Sequence, residues 1–185
     1  MQDYRININY AKALFLLADE MGEVERVSED MRLVNAVCVE NRELNAVFRN
    51  PEIKAPKKLA IVDELFGSSV CKTTMAFVHF VVKKKRSVNL KGISASYLDL
   101  YRESRGIVLS QITTAQPVDE DTRALATKVI ANYTHKEVEL VAKTDPKIIG
   151  GVAMEFDNMM YDARISTYLT KLRHAFDENV YESKL

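Results

Sequence analysis

The chain has little of what chemistry at a protein site usually needs. It holds two cysteines in 185 residues, Cys38 and Cys71, too few to complete a four-ligand zinc site. They are expected to be reduced helix residues of a cytosolic protein, because a free cysteine behaves as a small hydrophobe. The three histidines, His79, His135 and His174, fall into no H-E-x-x-H or Cys/His ligand pattern. Mid-helix His79 is expected to be structural or at the surface. No G-x-S-x-G elbow occurs, and neither cysteine has the basic neighbour in sequence that makes a reactive thiolate. The one glycine pair, Gly150-Gly151, leads into a strand-like run, whereas a phosphate loop needs glycines and a lysine at a helix N-terminus. The pair reads as two permissive backbone positions where a strand starts against a helix.

Charge of one sign is lacking as well. The 26 basic and 26 acidic residues cancel, leaving no global field to attract nucleic acid or anionic lipid. The longest unbroken apolar run is the six residues 13–18, far short of the ~20 that span a bilayer. A signal-peptide pattern is absent from the N-terminus. The expectation is a soluble intracellular protein with no catalytic residues, no metal and no cofactor.

What is present is a globular composition, 47% hydrophobic and 28% charged, in a length that suits one domain or two small ones. Residues 1–105 read as a six-helix bundle. The first helix carries Tyr10, Leu14, Leu17 and Met21 at helical spacing and ends at Gly22. The second carries Val24, Val27, Met31, Val34 and Cys38. A short third, with Leu44, Val47 and Phe48, stops at Asn50-Pro51, since the residue before proline leaves the α region. Pro56 suits the first turn of a fourth helix that buries Leu59, Val62, Leu65 and Phe66. A fifth is expected from about Val70 to Lys85, and a sixth, with Ile93, Tyr97, Leu100 and Tyr101, from about Ile93 to Glu103.

After Gly106 the period changes. Residues 107–114 are rich in β-branched side chains and read as a strand. Asp119 suits an N-cap of a helix burying Leu125, Val129 and Tyr133. Residues 137–142 alternate as a strand, and Val152, Met154 and Phe156 lead through an Asp157-Asn158 turn into residues 159–164. A last helix stacks Ile165, Tyr168, Leu169, Leu172 and Phe176. Residues 106–185 therefore form a small β-α-β-β-β-α region. The bundle carries 17 basic and 14 acidic residues and this region 9 and 12, a weak hint of different partners.

The sequence also holds surplus apolar surface. The first helix spreads its apolar residues over roughly 200°, wider than the ~100° stripe that one core contact requires. On the fifth, Met75, Phe77, Val78, Val81 and Val82 form an inner arc, and Ala76 and Phe80 fall outside it near Lys72, Lys83 and Lys84. Either another protein's helix fills a slot beside Phe80, or a neighbouring helix of the same bundle covers it. Two further readings compete: an enzyme whose site assembles from scattered carboxylates and lysines in residues 106–185, and a nucleic-acid binder using Lys83-Lys84-Lys85-Arg86.

The order of motifs resembles a known family. Tyr10-Ala11-Lys12-Ala13-Leu14-Phe15 is similar to the opening helix of the delta subunit of bacterial F-type ATP synthases, relatives of the mitochondrial oligomycin-sensitivity-conferring protein. Asn50-Pro51, Lys57, Lys58 and Phe66 resemble its second block. Asp145-Pro146-Lys147-Ile148-Ile149-Gly150-Gly151-Val152, then Met159-Met160-Tyr161-Asp162, then Leu169 and Leu172, resemble its C-terminal signature. The chain departs from the family at Ala163-Arg164, where Gly-Ser is usual, and at Lys84-Lys85-Arg86, where Asn-x-Arg is frequent.

The resemblance implies a non-catalytic stator subunit that links the catalytic head to the peripheral stalk. Residues 1–105 would bind the N-terminal helix of an alpha subunit through Tyr10, Ala13, Leu14, Leu17, Ala76, Phe80 and Lys83. Residues 106–185 would hold a b-type stalk subunit, with Asp145, Pro146, Gly150, Gly151, Asp162 and Leu169 as structural signature positions. One copy per complex is implied, monomeric when isolated, with no cofactor and no nucleic acid. It would sit at the cytoplasmic face of the bacterial inner membrane and meet the membrane only through the complex.

Overall fold

The computed structural model describes residues 2–157 and 159–177, and the chain divides into two compact units, Met1–Ser104 and Arg105–Leu185. The first unit contains α1 (Gln2–Met21), α2 (Val24–Glu40), α3 (Arg42–Arg49), α4 (Ala55–Phe66) and α5 (Lys72–Lys83). A 3₁₀ turn (Ser87–Asn89) follows and leads into α6 (Leu90–Arg105), whose last residue lies past the unit boundary. Gly22, at φ 69°, ends α1, and Pro56 sits in the first turn of α4. α5 is shorter than its apolar pattern suggests because both ends are tied off. The Asp30 carboxylate accepts the Cys71 N–H at 2.8 Å, and Cys71 Sγ accepts the Thr74 N–H at 3.4 Å. At the other end the N–H groups of Lys85 and Arg86 return to Val82 and Val81.

One apolar cluster holds this unit together, with Leu14, Met31, Val34, Val62, Phe66, Val81, Ile93 and Tyr97 inaccessible to solvent. Gly92 lets α6 approach α1, since a Cβ there would collide with the Asn7 amide. The buried side of α1 is Ala11, Leu14 and Ala18 rather than the Tyr10, Leu17 and Met21 part of its stripe. Leu65 is likewise exposed, because α4 turns Val62 and Phe66 inward.

The second unit runs β1 (Ile107–Thr114), α7 (Glu120–Thr134), β2 (Glu137–Thr144), β3 (Val152–Phe156), β4 (Met159–Asp162) and α8 (Ile165–Asp177). The order β-α-β-β-β-α agrees with the sequence reading. The sheet order is β2-β1-β3-β4, with β1 and β2 parallel and the other pairs antiparallel. Register puts Val108, Ser110, Ile112, Val138, Leu140, Met154 and Phe156 on one face, because alternate side chains share a face. The Tyr133 ring of α7 meets Phe156 edge-on at 5.8 Å on that side. Asp119 caps α7 as expected, its carboxylate accepting the Thr122 N–H at 3.3 Å. Asp157 enters the β3–β4 turn at φ 45°; Asn158 lies outside the described residues.

Two sequence expectations fail here. α7 buries Ala126 and Ile130, while Leu125, Val129 and Tyr133 are exposed. The supposed core stripe of α8 is exposed too, from Ile165 at 46% to Phe176 at 76%. In α7 the large side chains lie about one position off the face that turns Ala126 and Ile130 inward, and no described residue of α8 is buried.

Candidate partner-binding groove

A groove of about 530 Å³ opens between α1 and α5. Its α1 side comes from the half of that helix left over after Ala11 and Ala18 turn inward. Helical spacing places Tyr10, Ala13, Leu14 and Leu17 along it, with Met21 at the far end. α5 contributes Thr73, Ala76, Phe77 and Phe80, spaced by three or four residues on one face. Phe80 is 48% exposed and Leu17 38%, so no helix of the bundle covers Phe80. Ala13 and Ala76, both exposed, keep the floor low between the aromatic walls.

The walls are fixed by ring contacts. Tyr10 meets Phe77 edge-on at a centroid distance of 6.5 Å and Phe80 at 6.2 Å, a spacing at which aromatic pairs attract. Lys84 Nζ lies 5.5 Å from the Phe80 centroid and puts a cation beside the open ring. The Thr73 hydroxyl donates to the Glu23 carboxylate at 2.8 Å, which holds the opposite end. Lys83 is exposed on the last turn of α5 and is not part of the lining. Asn9, Met21, Thr73 and Phe77 also line the groove and are not among the residues expected from the sequence, although each lies three or four residues from one that is.

The signature residues of the second unit converge on one junction. The Ala163 N–H donates to Val152 O at 2.9 Å and the Ile165 N–H to Gly150 O at 3.0 Å, so the glycine pair runs alongside the β4–α8 connection. Gly151 has φ 87°, and a Cβ there would collide with the Ala163 carbonyl. Asp162 accepts from Arg164 through the guanidinium and the backbone N–H, and from the Thr167 hydroxyl at 2.9 Å. These bonds, led by the guanidinium, hold the Asp162 carboxyl well below the usual carboxylate range. The arginine that departs from the usual family pattern is thus a ligand of the signature aspartate. Asp145 accepts the Lys147 N–H at 3.0 Å across Pro146, a turn that buries Ile148. Leu169 stands apart from this junction on the exposed face of α8.

Elsewhere the side chains serve the fold. His79 Nε2 pairs with the Asp63 carboxylate between α5 and α4. Cys38 and Cys71 are both free and buried, and burial pushes the Cys38 thiol up to about 11. Among the described residues no group of three His, Cys, Asp or Glu side chains could hold a metal ion. No described helix is long and apolar enough to cross a membrane.

Similarity to known proteins places this two-unit design. A solved chain in the cryo-EM structure of the Toxoplasma gondii mitochondrial ATP synthase hexamer superposes with a TM-score of 0.74. That match covers 94% of this chain and 98% of the other at 16% identity, and it shows a common fold. At the sequence level, the family model of the ATP synthase delta (OSCP) subunit matches residues 6–176. The chain is 37% identical over 180 residues to the ATP synthase subunit delta of Cytophaga hutchinsonii, covering 97% of this chain and 98% of that one. It is 33% identical over 178 residues to that of Salinibacter ruber, covering 96% and 94%. The chain belongs to the ATP synthase delta (OSCP) subunit family. It is a stator component of the peripheral stalk of the F-type ATP synthase, a structural and peripheral part of that membrane-bound complex.

Proposed function

We propose that the α1–α5 groove receives an N-terminal helical segment of the alpha subunit, and that the second unit holds the end of a b-type stalk subunit. The observation that carries the first half is the open trough itself, with Phe80 and Leu17 exposed beside the small Ala13 and Ala76. A guest helix presenting apolar residues at i, i+3, i+4 and i+7 would fill it. Closing the groove would bury Phe80 and Leu17 for up to ~1.5–3 kcal/mol per large side chain. Lys83 and Lys84 would meet an acidic flank of that guest. In the second unit, Tyr168, Leu169, Leu172 and Phe176 form the exposed stripe that supports a stalk contact.

The role is mechanical and non-catalytic. Torque from the rotor would turn the head along with it unless the head were joined to a fixed post. Two separate contacts in one chain make the second engagement intramolecular, so the clamp holds more tightly than either contact alone. The subunit works at the cytoplasmic face of the bacterial inner membrane, one copy per complex. Calorimetry with an alpha-subunit N-terminal peptide tests the groove. Phe80→Asp is expected to weaken binding at least about tenfold while leaving the melting curve native. Unchanged affinity in a folded variant would remove the groove assignment.

A further inference from the structure

The first unit has a second recess, of about 530 Å³, which shares no lining residue with the groove. It lies where the end of α3 and the chain after it approach the first turns of α4 and the end of α5. Four cations line it, Arg49, Lys54, Lys58 and Lys85, and no acidic side chain does. Three of the four are exposed, but Lys58 is only 8% so. Its ammonium donates to Phe48 O at 2.8 Å and lies 3.4 Å from Ser87 Oγ. Both partners are neutral oxygens, and among the described residues no carboxylate pairs with it. A buried ammonium is costly unless a counter-charge reaches it, and the recess is the side from which one can come.

Lys85 supplies a second, independent observation. It occupies the position after the α5 cap at φ 59°, with its N–H on Val82 O at 2.9 Å and the Arg86 N–H on Val81 O at 3.0 Å. Glycine is the ordinary residue there, because a side chain in the left-handed region is strained. A strained backbone position at a recess is a reason to look for function, and here it sets a third lysine on the lining. Ile53 and Val88 complete the walls with apolar surface.

We propose that this recess binds a small phosphate-bearing molecule with an apolar portion. Four cations exceed what one carboxylate can neutralise, whereas a phosphate ester brings close to two charges and three acceptor oxygens, and lysine is a common phosphate partner. The volume is that of a small-molecule site. Nucleic acid is the weaker occupant, since the Phe48 ring is buried and offers no open platform for base stacking. The proposal is independent of what fills the α1–α5 groove.

Calorimetry on the full chain in about 50 mM salt, where screening is modest, tests it with inorganic phosphate and phenyl phosphate as probes. Saturable binding to one site is expected, with phenyl phosphate tighter than inorganic phosphate because of the apolar wall. Lys58→Gln is expected to weaken it at least about tenfold, the loss of a charged hydrogen-bond donor. Lys54→Ser and Lys85→Gly are expected to weaken it about threefold to fivefold each, as looser contacts. Lys85→Gly removes backbone strain, so its loss of binding cannot be put down to unfolding, even where Lys58→Gln fails to fold. No saturable heat with either probe up to about 10 mM would overturn the site. Wild-type affinity in both Lys54→Ser and Lys85→Gly would reduce Lys58 to a cap on the α3 carbonyls. Tighter binding of a single-stranded oligonucleotide through the same residues would give the cations to nucleic acid and end the proposal.

Discussion

The two units treat their large apolar side chains in opposite ways. In residues 2–104 they converge on one cluster, in which Phe66, Leu14, Met31 and Tyr97 are inaccessible to solvent. In residues 105–177 the buried apolar positions are Val108, Ile112, Ala126, Ile130, Ile148 and Ala153, mostly small or medium in size. The big residues of that unit, Leu125, Tyr133, Tyr168 and Phe176, face outward. A domain of this size leaves large contiguous apolar surface open mainly where another molecule covers it. The first unit has a closed core beside the open α1–α5 trough; the second has a sheet, one covering helix and an open face. The difference suggests that the first folds on its own strength, whereas the second relies more on what it binds.

The sharpest way to break that contrast is to empty each side in turn. Phe66→Ala removes a fully buried ring and is expected to cost about 3–5 kcal/mol, as large-to-small core changes do. Thermal or urea unfolding of the first unit reads it, and a loss below about 1 kcal/mol would mean the cluster is not the source of stability. In the second unit the decisive position is backbone. Gly151→Ala must hold a side chain at φ 87° against the Ala163 carbonyl, with an expected cost of roughly 2–4 kcal/mol. The amide signals of β4 and the start of α8 should shift first.

pH separates the units by sign. Burial raises the Cys38 thiol in the folded state from 9.0 to about 11. Below about pH 9 the thiol is neutral in both states and contributes no pH dependence. Between about pH 9 and 11 the unfolded thiol ionises and the folded one does not, so the unfolded state holds fewer protons and stability falls as pH rises. The expected loss is roughly 2–3 kcal/mol, and Cys38→Ala should flatten that slope. In the second unit the Asp162 carboxyl is lowered, chiefly by the Arg164 guanidinium. Its contribution is present above the ordinary carboxylate pKa near 4 and is lost as pH falls towards the folded value. Alkaline destabilisation should therefore begin in the first unit and acid destabilisation at the β4–α8 junction, and hydrogen exchange by segment distinguishes the two.

Much of this was readable from the sequence where local chemistry decides. Gly22, Asn50-Pro51, Pro56 and Asp119 stop or start helices by rules that act within a few residues, and the strand at 107–114 is where its β-branched run lies. What sequence misjudged was which face is inside. In α7 and α8 the heaviest apolar residues read as core, yet α7 buries Ala126 and Ile130 and α8 leaves its stripe exposed; in α1 the stripe reads as surplus, and the structure buries Ala11 and Ala18 alongside Leu14. Periodicity finds an apolar stripe but cannot say whether the same molecule covers it. Ala76 and Phe80 were found because they fell outside a stripe already complete in Phe77, Val78, Val81 and Val82. The recess at Lys58 had no local signal. Lys57 and Lys58 look alike in sequence, and only Phe48 O and Ser87, distant along the chain, single out the second.

The smallest expected effect tests the contrast most directly. Leu169 is 53% exposed on α8, and its place in the stripe with Ile165, Leu172 and Phe176 follows from helical spacing. If that stripe packed on the unit's own sheet, Leu169→Asp would bury a charge and cost several kcal/mol. If the stripe is open, the aspartate stays in water and stability should change by less than about 0.5 kcal/mol, the range of ordinary surface substitutions. Ile130→Asp, on the covered side of the same unit, supplies the control and should unfold it. A matched pair of melting curves therefore measures how far the second unit's apolar surface is reserved for contacts outside the chain. Equal destabilisation by the two aspartates would show that α8 is part of this unit's own core, and the distinction between the two halves would be lost.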